Sequence, residues 1–175
     1  MPSIYHHEIE SYKEQLAQIV TTIDNFFQNR GDKNLTHFSL ASSNRCNFLV
    51  VGLCGLVEAR LFEIAKDQDE LQTSSLRGGL RNLVNLLKKV DAINFGELKY
   101  WDSFCSISKV RNTIVHGYGG LVLDVAPQKI RTHLKQLGMG SSLVGNRRIR
   151  LGPKEVEQVI EIVDGLLDEL GAYAD

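Results

Sequence analysis

The sequence predicts a mainly α protein: one domain over 1–175, with a four-helix up-and-down bundle core at about 3–120 and a C-terminal elaboration at 121–175. Three observations carry this expectation. Apolar residues recur at steps of three and four in successive segments before residue 120, which is the stripe of amphipathic helices. The segment around Phe48 to Ile64 is apolar on all sides, as suits a helix in the middle of a bundle or at a subunit interface. After the glycines at 117–120 the texture changes to short alternating runs and turn residues.

In order, Ile9, Tyr12, Leu16, Ile19, Ile23 and Phe26 or Phe27 mark a first helix, with Ser3 as a cap and Gly31 as a stop. Asp32 to Asn34 form a loop. A second helix covers about Leu40 to Lys66, opening at Ser42-Ser43-Asn44. Gly52 and Gly55 lower its intrinsic propensity by roughly 1 kcal/mol each, and their small size would let a neighbouring helix approach. Asp67 to Thr73 is polar. Ser74-Ser75 can cap a third helix carrying Leu76, Leu80, Leu83, Val84 and Leu87 up to Asp91. After a turn at Asn94 to Gly96, a fourth helix runs from about Glu97 to His116 and is broken by Gly117, Gly119 and Gly120. In the remaining third, Leu121 to Val125 suits a short strand, and Pro127 opens a helix with Ile130, Leu134 and Leu137. Gly145-Asn146 turns a small hairpin within Ser141 to Leu151. Pro153 opens a last helix with Val156, Val159, Ile160, Val163, Leu166, Leu167 and Leu170 on its apolar side.

The 175 residues suffice for a core, and 43% hydrophobic with 23% charged residues is ordinary for a soluble globular protein. A net charge of −1 with five histidines supplies no global basic field, so nucleic-acid binding would need a local patch. Cys46, Cys54 and Cys105 have no CxxC spacing and read as small hydrophobes in a reducing compartment. The N-terminus lacks a signal-peptide layout, and the longest apolar run, Phe48 to Val57, is short of the ~20 residues a bilayer requires. A cytoplasmic protein without membrane contact is expected.

Chemistry concentrates between Lys109 and Gly120. At ~100° per residue, Arg111 lies within about 40° of Phe104, Ile107 and Val115, so it sits on the apolar side of its helix and needs an anion. That anion can be a carboxylate such as Glu58 or a bound phosphate. His116 is roughly 140° round an ideal helix from Arg111. The two share a site only if the helix unwinds at Gly117 or if a second subunit completes it. Alone, His116 also reads as a cation matched to a helix C-terminus.

The string Arg111-Asn112-x-x-x-His116-x-Tyr118 resembles the signature of the HEPN superfamily, an arginine and a histidine separated by four to six residues with a polar residue commonly after the arginine. Tyr118 matches the extended form seen in HEPN toxins paired with nucleotidyltransferase-type antitoxins. The resemblance covers about residues 3–120. It implies a metal-independent endoribonuclease, without cofactor, acting as a homodimer on RNA, in a toxin–antitoxin or phage-defence setting. It implies His116 for proton transfer, Arg111 for charge stabilisation, Asn112 to orient the histidine or a phosphate oxygen, and Tyr118 as a target of nucleotidylation or a packing residue. The residues suit that chemistry. An imidazole, with an ordinary pKa of roughly 6.5, can take the 2′-hydroxyl proton or protonate the leaving 5′-oxygen. Forked guanidinium donors suit a phosphorane. The alternative reading is a non-catalytic HEPN-like helical module binding a partner protein or nucleotide. A helical adaptor with an accidental motif would be a monomer with Arg111 buried against a carboxylate.

Glu58 can support the site by holding His116 or Arg111, or serve only as a salt-bridge partner. Arg147, Arg148 and Arg150 can track an RNA backbone or guard an edge strand. Arg77, Arg81, Lys88 and Lys89 form a weaker basic surface. His6-His7-Glu8 has no companion ligands, so no metal site is expected. His37 and His133 read as surface residues, and Asp124 lacks a partner for a paired-carboxylate hydrolase.

Overall fold

A computed structural model describes residues 4–29, 34–68, 71, 78–117, 119–122, 127–145 and 147–173. Helices α1 (Ile4–Gln28), α2 (Leu35–Lys66), α3 (Gly79–Lys89), α4 (Trp101–His116), α5 (Pro127–Gln136) and α6 (Pro153–Gly171) follow in order. An antiparallel hairpin, β1 (Leu143–Val144) with β2 (Arg148–Ile149), lies between α5 and α6, in register Leu143 with Ile149 and Val144 with Arg148. The expected mainly α class is what forms.

Helix α2 is the axis of the fold and packs against α1, α3, α4 and α6. Leu49, Val50, Leu53, Cys54, Val57, Leu61 and Ile64 are buried along it, which is why its sequence has so little polar face. It is not covered on all sides, since Phe48 is 70% exposed and Phe62 39%. It also starts earlier than its serines suggest. The Asn34 side chain accepts a 3.0 Å hydrogen bond from His37 N, capping the helix ahead of Leu35, and the chain runs helical through Ser42 to Asn44. Gly52 serves the close approach expected of it: a Cβ there would overlap the Tyr12 ring of α1. Gly55 does not, as nothing lies within 4 Å of such a Cβ. Stacked Phe26 and Phe38 rings, 3.8 Å apart, bind the end of α1 to the start of α2.

One boundary moved for a tertiary reason. Helix α4 begins at Trp101 rather than near Glu97, because residues 95–100 form turns. Their Lys99 and Tyr100 N–H groups donate to the Glu169 carboxylate at 3.0 and 3.4 Å. A carboxylate from α6 thus serves the N-terminal end of α4. Helix α6 is accordingly part of the core and not an elaboration of it. It packs on α1, α2 and α4, and buries Val156, Val159, Ile160, Ile162, Val163, Leu166, Leu167 and Leu170. Glu155 accepts from Gly152 N at 3.0 Å and helps start it behind Pro153. Helix α3, by contrast, rests chiefly on α2.

Leu121 pairs with Arg148 in an isolated antiparallel bridge, while residues 123–125 of the expected strand lie outside the described residues. So do Ser3, Gly31, Ser74-Ser75, Arg77, Tyr118, Asp124 and Asn146. Among the described residues, no helix is long and apolar enough to cross a membrane.

Candidate active site

Helix α4 presents two faces, because it packs against α2 on one side and α5 on another. Arg111 is on the α2 side. Its Nη2 lies 3.4 Å from Glu58 Oε1, and its Nη1 donates to Asn112 Oδ1 at 3.0 Å. Both charged side chains keep about a quarter of their surface, 24% and 25%, so this is a half-buried pair open to a cavity. Arg111 Nε is buried without a partner in the described structure, leaving one donor of the fork unspent. Cys54 of α2 feels the pair: burial pushes its thiol up to about 12, with Arg111 opposing and Glu58 adding. Asn112 therefore braces the arginine, where the histidine or a phosphate oxygen had been its expected partner. Glu58 holds Arg111.

His116 is the last residue of α4 and is exposed. The helix stays regular up to it, with Gly117 N–H donating to Thr113 O at 2.9 Å. The glycine break thus comes too late to rotate the histidine towards Arg111, and the ~140° offset of an ideal helix stands. The turn after it requires glycine. A Cβ on Gly117 would overlap the carbonyl oxygens of Leu121 and Thr113, and Gly120, at φ +108°, lies against Ile149 O.

A buried side chain that sequence reading missed clamps this turn. Asn47 of α2, 2% exposed, donates Nδ2 to Gly119 O at 3.3 Å and to Ile149 O at 3.2 Å. Its Oδ1 accepts from Leu151 N at 3.3 Å. Ile149 N donates to Gly120 O at 2.8 Å and Val122 N to Arg147 O at 2.7 Å, so the turn and the hairpin are one unit. The only sequence signal for Asn47 was an amide at the edge of the apolar run that begins at Phe48.

Two cavities flank α4. One, of about 440 Å³, lies towards α2 and α3 and includes Glu58, Arg81, Lys88, Ser108, Lys109, Arg111 and Asn112 in its wall. The other, of about 430 Å³, lies towards α5 and is lined by residues including Lys109, Asn112, Thr113, His116, Lys129 and His133. Lys109 and Asn112 belong to both. On an ideal helix Asn112 is about 100° from Arg111 and about 40° from His116, which explains why it borders each. Among the described residues, the two walls carry Arg81, Lys88, Lys109, Arg111 and Lys129 against one carboxylate, Glu58. A chain of net charge −1 hosts this basic strip because its acids gather elsewhere. Glu155, Glu157, Glu161 and Asp164 line the cavity between α1 and α6.

The structure corrects the reading of His133, which is half-buried and shares the His116 cavity, whereas His37 is exposed as expected. Arg147 is exposed and Arg148 and Arg150 are half-buried on the hairpin, beside residues 121–122 that border the same cavity. Of the third-helix cations, Arg81 and Lys88 reach the Arg111 cavity. Lys109 and Lys129 were not singled out in the sequence, since lone lysines on helices carry no pattern.

Comparison with protein-family models, with curated proteins and with solved structures returns no match for this chain.

Proposed function

We propose that this protein is a HEPN-type, metal-independent endoribonuclease that cleaves RNA through its 2′-hydroxyl and acts as the toxic or defence effector of a prokaryotic system. The observation that carries the reading is the basic double cavity along α4, with Arg111 and Asn112 at one mouth and His116 at the other. RNA lies along this strip with its phosphates on Lys109, Lys129 and Lys88. The Arg111 fork, half-used by Glu58 and Asn112, stabilises the phosphorane, and His116 moves a proton. Because Arg111 and His116 open into different cavities of one chain, a homodimer completes the site, the arginine of one protomer facing the histidine of its partner. Val115, exposed at 45% beside His116, is the apolar contact for that second copy. A nucleotidyltransferase-type antitoxin restrains the enzyme, with Tyr118 as the residue it modifies.

The purified protein is incubated with RNA in chelator beside His116→Ala and Arg111→Ala. Cleavage to 2′,3′-cyclic phosphate and 5′-hydroxyl ends by the wild type, lost in both variants, is the expected result; equal cleavage by all three sinks the reading. A second reading has one observation in its favour. The Arg111–Glu58 contact at 3.4 Å is what a non-catalytic HEPN-like module, binding a partner protein or nucleotide, would use structurally. That module would bind a partner protein or nucleotide and cut no RNA.

A further inference from the structure

Transfer of an RNA phosphodiester to its own 2′-hydroxyl requires a base at the 2′-oxygen and an acid at the 5′-oxygen, and one imidazole serves one of these at a time. The cavity that holds His116 also holds a second imidazole. His133, on α5, lines the same space of about 430 Å³ between Lys109 and Lys129, within the size range of small-ligand sites.

Its ring is set by a relay. Ser106 of α4, 7% exposed, donates its hydroxyl proton to Gln136 Oε1 at 3.0 Å and lies 3.3 Å from His133 Nδ1. A serine has one proton to give. When that proton is on Gln136, Ser106 Oγ meets His133 as an acceptor and Nδ1 carries the hydrogen. The neutral ring then has its lone pair on Nε2, the nitrogen left for a ligand in the cavity. Fixing a tautomer through the other ring nitrogen is how imidazoles are prepared as bases. On an ideal helix Ser106, Lys109, Thr113 and His116 fall within about 80° of one another, so the relay, a phosphate-binding cation and the second histidine share one face of α4.

We infer that His133 is the general base and His116 the general acid of a two-histidine phosphoryl-transfer site within one chain, with Ser106 and Gln136 as positioning residues. The inference rests on the ribonuclease reading above. His133 Nε2 takes the 2′-hydroxyl proton as the 2′-oxygen bonds to phosphorus. The bond from phosphorus to the 5′-oxygen breaks, and His116 supplies a proton to that oxygen. A 2′,3′-cyclic phosphate and a 5′-hydroxyl result, with no co-reactant. Arg111 of the partner protomer remains the charge stabiliser, so the dimer supplies the arginine and each chain its own proton-transfer pair.

The experiment uses the full chain and an oligoribonucleotide whose cut position has been mapped with the wild type. A second oligonucleotide carries sulfur in place of the bridging 5′-oxygen at that position, a leaving group that departs without an acid. His133→Gln should lower cleavage of both substrates by about 100-fold or more, the low end of general acid–base catalysis. His116→Gln should lower cleavage of the oxygen substrate by a similar factor and recover to near wild-type rate on the sulfur substrate. Ser106→Ala should raise neither rate and should lower kcat more than KM, since it misorients the base without touching RNA. Wild-type rates in His133→Gln, or recovery of that variant on sulfur, overturn the assignment while leaving the ribonuclease reading intact. A wild type that cuts neither substrate removes both. Circular dichroism of each variant separates loss of chemistry from loss of fold.

Discussion

Replacing Asn47 with alanine should unfasten the turn that follows His116, and the size of the effect can be worked from its contacts. The side chain is 2% exposed and makes three hydrogen bonds, to Gly119 O, Ile149 O and Leu151 N, at 3.2–3.3 Å. At about 1 kcal/mol net for each such bond, the loss is about 3 kcal/mol, and more where a backbone group is left dry. For a chain of this length, a loss of about 3 kcal/mol lowers Tm by roughly 6–12 °C. Asn47→Asp is the informative control. It keeps an acceptor for Leu151 N but turns a carboxylate on two carbonyl oxygens in the core, so it should destabilise at least as much as alanine. Urea titration and thermal melts followed by circular dichroism measure both. A loss below about 1 kcal/mol for alanine, or an aspartate variant as stable as wild type, would refute the clamp and detach the His116 turn from the hairpin.

Other outcomes follow from the same geometry. Glu58→Gln should change stability by under about 1 kcal/mol, since the pair with Arg111 keeps about a quarter of its surface in solvent and glutamine retains an acceptor oxygen; RNA affinity by filter binding should rise, and a fall would mean that Glu58 positions Arg111 for RNA. Lys109→Ala and Lys129→Ala should each make the plot of log affinity against log salt shallower by about 1, one lost phosphate contact apiece; an unchanged slope places RNA elsewhere. Gly117→Ala should cost about 1–3 kcal/mol by overpacking, because its Cβ meets the Leu121 and Thr113 carbonyls; a melt at the wild-type temperature contradicts it. At pH 8 the native protein should be alkylated first at half-buried Cys105. The buried Cys46 and Cys54 thiols, pushed up to about 11 and about 12 by desolvation, stay protonated there and should react only on unfolding, as mass spectrometry would show.

Much of the helical plan was legible because burial leaves a periodic trace. Ile9, Leu16, Ile19 and Phe26 recur along α1, and Val156 to Leu170 along α6, and each set is buried. Pro127 and Pro153 mark the starts of α5 and α6 because a proline loses no hydrogen bond in a first turn. Boundaries set by distant groups were not legible. The start of α4 depends on Glu169, about seventy residues further on, and nothing local announces it. Placing α6 outside the core failed for a similar reason, since an apolar stripe does not name its partner.

For the site, residue order alone determined that Arg111 needs an anion and that Arg111 and His116 cannot share a face of one regular helix, because the helical repeat sets both. Which anion, and which neighbours, depended on the packing. The approach of α2 put Glu58 against Arg111, and the approach of α5 put His133 and Lys129 into the His116 cavity. The burial of Asn47 turned an ordinary amide into the clamp of the glycine turn. Periodicity reports what a helix hides; only contact between helices decides which polar groups meet, and the chemistry of this site depends on those meetings.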